Sequence, residues 1–192
     1  MIDRDLKRSL GQMIKGVQVI GARADSECRM YTSHWFSQIA FDEPIVLASV
    51  SPKHDTHPLL VESGMFSASL LAGDQIAEGQ YFSYPGRKLK YVAEEFVEDW
   101  NGLPVVPNSI AWLRCDVLER WPAGDHGRDH DLFLARVVVA REGRLREPPL
   151  LYSSRLGWRV TGDKARETGV SVRDQLLARL GVEDDDDGNE ED

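Results

Sequence analysis

Apolar positions fall into short runs separated by turn residues, and their spacing changes along the chain. Leu6, Leu10, Met13 and Ile14 recur at helical spacing and predict a short opening helix. Gly16 then starts the apolar run 17–20, a strand, and Met30, Tyr31 and Thr32 form another that leads into Ser33-His34-Trp35-Phe36. Pro44 opens the largely apolar stretch 45–50, which reads as a buried strand. Residues 56–64 predict a short helix ended by Gly64, and 65–71 a further strand. Asp74 is placed to cap a helix over 75–82, and 83–86 is loop. The second half is strand-rich. Segment 110–118 alternates in part, 132–140 is a long β-branched run, 142–144 marks a turn and 150–152 is a short strand. Ser171 is placed to cap a last helix over 172–180, with Gly181 beyond its end. About seven strands with helices at the edges predict a mainly β fold with peripheral helices. The natural closure is an antiparallel barrel, complete or nearly so.

Length and charge add boundaries to this picture. A chain of 192 residues suits one domain, placed at 1–182, followed by an acidic tail over 183–192. The net charge is -9, but eight of the 32 acidic side chains lie in that tail. What remains is 24 acidic against 23 basic residues, with no basic excess to suggest nucleic acid. The tail reads as a disordered, self-repelling segment. No apolar run approaches the roughly 20 residues of a membrane helix, and the polar Met1-Ile2-Asp3-Arg4-Asp5 start lacks the pattern of a signal peptide. Two cysteines, Cys28 and Cys115, form neither a disulfide framework nor a metal knuckle, so a reducing cytoplasm is the expected home.

The chemistry is quiet. There is no phosphate loop of the GxxxxGK[ST] type, no GxGxxG after a strand, no HExxH and no GxSxG. Asp125-His126 and Asp129-His130 lie close together, but loop histidines beside aspartates are more often solvated than metal ligands, and no metal is expected. Segment 51–57, Ser-Pro-Lys-His-Asp-Thr-His, stands between a buried strand and a helix. Such a junction offers hydroxyls, a cation and backbone N–H groups to a phosphate. It suits an ordinary polar turn with Thr56 as helix cap equally well.

Five stretches, in order over about residues 10–152, resemble the flavin reductase-like family. Thr32-Ser33-His34-Trp35-Phe36 with Asp42-Glu43-Pro44 is similar to T-x-S-S-F…D-P-P. Thr56-His57 with segment 64–71 is similar to T-x…G-x-F-x-V-N-x-L, and Gln75…Phe82-Ser83 to Q-x-x-L-A-x-x-F-A. Segments 100–105 and 111–115 resemble G-x-P-x-x-x-x-x-A-x-L-x-C, and 129–137 resembles D-H-x-L-F-V-G-x-V. His34 and Trp35 stand where small hydroxyl residues are usual; Ser69 replaces an asparagine, Gly79 an alanine and Ala135 a glycine.

The resemblance implies an FMN-binding split β-barrel that binds FMN, or alternatively FAD, with NADH or NADPH as co-substrate. It implies hydride transfer from nicotinamide to flavin N5. Thr32, Ser33, His34 and Trp35 would lie along the ring and ribityl chain, with Ser49, Val50 and Ser51 on the next strand edge. Lys53, His54 and Thr56 would hold the phosphate, and Phe82 and Ser83 would close the site from the helix end. Arg87 and Lys88 would add charge. His130 matches the family's nicotinamide-side histidine, with Gly124-Asp125-His126 a competing match. Trp100, Trp112, Trp121 and Trp158 are expected in the core or at an interface. The implied assembly is a homodimer in the cytoplasm, with a monooxygenase component as one outlet for reduced flavin. The rival readings are a flavin-binding electron carrier that is not a reductase, or another split-barrel oxidase or ligand-binding protein.

Overall fold

A computed structural model describes residues 3–84, 93–124 and 127–160, all within the compact unit Met1–Thr161. The helix expected over 172–180, the acidic tail, Arg87, Lys88 and Asp125-His126 lie outside the described residues.

Seven strands form one antiparallel sheet: β2 (Gln18–Ala24), β3 (Glu27–Ser33), β4 (Phe36–Gln38), β5 (Ile45–Val50), β6 (Met65–Leu70), β9 (Ala111–Trp121) and β10 (Asp131–Glu142). Their order is β3-β2-β6-β9-β10-β5-β4. The edges, β3 and β4, are consecutive in the chain and joined only by His34 and Trp35. The three steps from Ser33 to Phe36 can reach at most about 11 Å. A flat seven-stranded sheet is far wider, so this link obliges the sheet to curl until its edges nearly meet. Register shifts between β9 and β10, at Leu134/Ala135 and Val137/Val139, supply local bending. The result is a split β-barrel whose seam carries His34 and Trp35.

A small sheet covers one end. It is built from β1 (Lys15–Gly16), β11 (Leu150–Ser153) and β12 (Gly157–Val160), in the order β1-β11-β12. A separate hairpin pairs β7 (Glu98–Trp100) with β8 (Leu103–Val105), turning at Asn101 and Gly102, both with positive φ. That hairpin packs so closely on β2 that a Cβ at Gly21 would run into the Pro104 carbonyl.

β2 is buried on both faces over residues 19–22, which are all apolar or glycine. Ile20 and Ala22 join the main core with Phe66, Cys115 and Phe133, while Val17 and Val19 join a second cluster with Leu71, Phe82 and Leu150. Helix α2 (Thr56–Ser63) plugs the barrel with Leu59 and Leu60 and ends at Gly64 in the left-handed conformation, as its sequence predicts.

Three local expectations change. The first helix, α1 (Arg4–Leu10), is capped by Asp3 and stops before Met13 and Ile14. Leu6, Leu10, Met13 and Ile14 are all exposed. Asp74 does not cap α3 (Ile76–Tyr81); its carboxylate takes two hydrogen bonds at 2.7 Å from Arg144, a charge-assisted pairing that outcompetes the cap. Thr56 is the first residue of α2 rather than its cap, and Asp55 holds the cap position without making a side-chain cap hydrogen bond.

Candidate functional site

The seam gathers side chains from segments remote in sequence. A cleft of about 190 Å3 opens there. Tyr31, Thr32, Ser33, His34 and Trp35 line it from the end of β3, and Ser49, Ser51 and His54 from the end of β5 and the turn after it. His130 enters from just before β10, and Lys15, Tyr152 and Ser154 from the small sheet and its margin.

Trp35 is 50% exposed and meets the His130 ring edge-on, with centroids 4.8 Å apart. Lys15 Nζ lies 5.7 Å from the Trp35 ring centroid. His34 stacks on Tyr152, with centroids 4.2 Å and planes 10° apart, and Trp158 meets it edge-on. Burial, and secondly the Lys15 charge, lower the His34 pKa from 6.5 to about 4. His34 is therefore neutral at physiological pH, and its buried Nδ1 has no hydrogen-bond partner among the described residues. His130 Nδ1 lies 2.7 Å from Asp129 Oδ1, and that bond holds the Asp129 carboxyl below its ordinary range.

The other expected site residues divide. Thr32 lines the cleft, but its hydroxyl donates to the Gly79 carbonyl at 2.7 Å. Ser33 Oγ accepts from the Trp35 amide at 3.3 Å, and Ser49 N donates to the Trp35 carbonyl at 2.9 Å, fastening the seam. Val50 points into the core, because alternation along β5 puts Ser49 on one face and Val50 on the other. In the 51–57 turn, Ser51 Oγ accepts from Lys53 N and the Ser51 carbonyl from His54 N. Those two amides are thus spent inside the turn, leaving side chains to meet an anion. Lys53 is exposed; His54 lines the cleft with its ring edge-on to Tyr31. Thr56 is buried outside the cleft lining, its Oγ1 without a hydrogen-bond partner among the described residues. Phe82 is a core residue whose carbonyl accepts from Thr32 N, and Ser83 is exposed on α3's end.

A second cleft of about 510 Å3 adjoins the first, sharing Lys15, Trp35 and Ser154. Lys7, Arg8, Leu10, Gly11 and Arg155 complete its walls. It is basic, and among the described residues no acidic side chain lines it.

Two of the five stretches that resemble a flavin reductase, 32–36 and 129–137, thus meet at one cleft, and comparison with known proteins agrees with the resemblance. The model of the flavin reductase like domain matches residues 10–156. The chain belongs to that family. The reductase component of a 4-hydroxyphenylacetate 3-monooxygenase from Thermus thermophilus is 32% identical over 78% of this chain and 91% of its own length. An NADH-dependent flavin reductase from a Rhodococcus species is 30% identical over 63% of this chain and 69% of its own. In fold, the chain is similar to the Streptomyces globisporus NADH:FAD oxidoreductase SgcE6, solved with NAD and FAD fragments. That likeness has a TM-score of 0.73 at 23% identity and covers 86% of this chain and 99% of the other.

Several cleft residues of this flavin reductase-like barrel escaped the sequence reading. Lys15 and Tyr152 face each other across the β1–β11 pairing, a long-range register that no local pattern reveals. Behind His130, buried Asp131 pairs with buried His57 and with the partly exposed Arg120. The charged residue at an apolar-face position of β10, two before Phe133, was the available signal for it. Among the described residues, no group of three His, Cys, Asp or Glu side chains gathers to hold a metal, and no helix is long and apolar enough to cross a membrane.

Proposed function

We propose that this chain is a flavin reductase that oxidises NADH and delivers the hydride to FMN or FAD. The observation that carries this reading is the seam cleft, where two of the family-like segments, 32–36 and 129–137, meet beside a basic extension. The residues suit a flavin. Tyr31, Trp35 and Tyr152 present flat apolar walls, Ser33, Ser49 and Ser51 present hydroxyls, and His34 keeps a buried ring nitrogen without a partner among the described residues. When bound, the flavin supplies a hydride acceptor at N5, and the redox chemistry is the cofactor's own.

The protein's part is binding, orientation and exclusion of water. Neutral His34 offers a hydrogen bond without adding charge to the cleft. Lys53 and His54 receive the flavin phosphate at the mouth of the 51–57 turn. His130 and Trp35 stand on the nicotinamide side, and Lys15, Lys7, Arg8 and Arg155 take the phosphates of the dinucleotide. The relatives' names support NADH as donor and a two-component monooxygenase as consumer of the reduced flavin.

The working unit in this reading is a cytoplasmic homodimer of the domain placed at 1–182. Its support is the exposed apolar set Leu6, Leu10, Met13, Ile14, Ile39 and Phe41, the last 98% exposed, on α1 and near the seam. Light scattering that returns a monomer would remove this assembly.

The test of the activity follows absorbance at the NADH band with FMN, then FAD, with NADPH in parallel. Flavin-dependent consumption of NADH is expected. Flavin that binds and is reduced chemically, with neither nicotinamide consumed above background, would instead identify an electron carrier.

A further inference from the structure

The Asp131 carboxylate is 1% exposed at the first residue of β10, on the face that carries Phe133 into the core. Burying a carboxylate is costly unless donors surround it. Here three do. His57 Nε2 lies 2.8 Å and Arg120 Nε 2.6 Å from Oδ2, and the Ala123 amide donates to Oδ1 at 2.7 Å. Burial opposes ionisation, but these hydrogen bonds and the Arg120 charge outweigh it and hold the carboxyl below its ordinary range.

The three donors come from different segments. His57 lies in the first turn of α2, directly after the 51–55 turn. Arg120 is the penultimate residue of β9, and Ala123 lies in the connection to β10. Asp131 itself follows His130 and pairs in register with Val50, the residue before Ser51. One carboxylate therefore ties the turn that carries Lys53 and His54 to the connection that carries His130. An apolar residue in this place would pack against Phe133 without fixing those segments to one another.

We infer that Asp131 is a positioning residue for hydride transfer, holding His130 and the 51–57 turn at a set distance across the cleft. It touches no reactant. It acts through His130 on one side and through His57 and the phosphate-side turn on the other. This inference rests on the flavin reductase reading. Wild-type protein that fails to oxidise NADH with flavin would sink that reading, whereas wild-type turnover with an insensitive Asp131 would sink this inference alone.

The experiment is steady-state NADH oxidation with FMN at 25 °C for wild type, Asp131→Asn and the destabilised control Val105→Ala. Val105 is fully buried at the end of β8, away from the cleft lining. An asparagine amide sets an N–H against donors that need an acceptor, so Asp131→Asn is expected to lower kcat roughly tenfold, since small misplacements cost that much or more. Val105→Ala is expected to lose melting temperature with kcat retained. If Asp131→Asn does not fold, Arg120→Lys and Arg120→Gln replace it, with kcat falling further in Arg120→Gln because the lysine keeps the charge. A folded Asp131→Asn with the kcat of the control, or Arg120→Gln turning over like wild type, overturns the proposal.

Discussion

Around the β7–β8 hairpin, arginines are spent on the fold. Arg23 bonds Asp99 at 2.8 Å, and Arg141 bonds Glu98 through both terminal nitrogens while its guanidinium lies 3.9 Å from the Trp112 ring centroid. At the seam the pattern reverses. Lys7, Arg8, Lys15 and Arg155 line one basic cleft, and no ion pair ties them among the described residues. Paired cations on a surface contribute little beyond local order. Unpaired cations at the mouth of a cleft raise the local concentration of anionic ligands. The same residue types thus hold a hairpin in one region and, in the other, line a cleft where we propose that they meet the dinucleotide phosphates.

The sharpest way to break this comparison is to remove the seam charges together. Arg8→Gln, Lys15→Gln and Arg155→Gln combined are expected to raise the KM for NADH about a hundredfold, at about 1 kcal/mol per lost contact. Reduced nicotinamide mononucleotide, which lacks the adenylate arm, should lose less. Equal losses for both donors would show that these cations do not read the arm.

The second prediction concerns pH. The His34 pKa is lowered by folding from 6.5 to about 4. The unfolded chain therefore binds a proton first as pH falls, and the folded state loses stability between about pH 6.5 and 4. Allowing for its partly solvated ring, the loss is about 1–2 kcal/mol. Thermal melts of His34→Gln against wild type across that window check the sign. A variant that loses as much as wild type on acidification would place the sensitivity elsewhere.

The smallest effect belongs to the hairpin. Arg141→Gln gives up an ion pair and a cation–π contact and is expected to cost about 1 kcal/mol, seen as a drop of a few degrees in melting temperature. Its KM for NADH should stay at the wild-type value. A raised KM would mean that the two regions are not separate in function.

Much of the architecture was legible beforehand. The strands 45–50 and 65–71, the helix ending at Gly64 and the long run into β10 announce themselves through local spacing and turn residues. The site was legible in part. Ser33, His34, Trp35, Ser49, Ser51, His54 and His130 do share one cleft. Val50, Thr56 and Phe82 have buried side chains, because strand alternation and helix packing rather than proximity in sequence decide which way a side chain points. Asp74 shows the same limit, since its local role as a cap lost to Arg144, a partner seventy residues away.

By itself, the sequence determined the element types, the mainly β class and the ordered stretches that mark the family, all of which depend on neighbours within a few residues. Tertiary structure alone decided that a two-residue link would close the sheet into a barrel. It also decided that Lys15 and Tyr152 would face each other, that Asp131 would draw His57 and Arg120 together behind His130, and that four cations would share one cleft. These are contacts between remote segments. They follow from strand order and barrel closure, which no local pattern of hydrophobic and polar residues specifies.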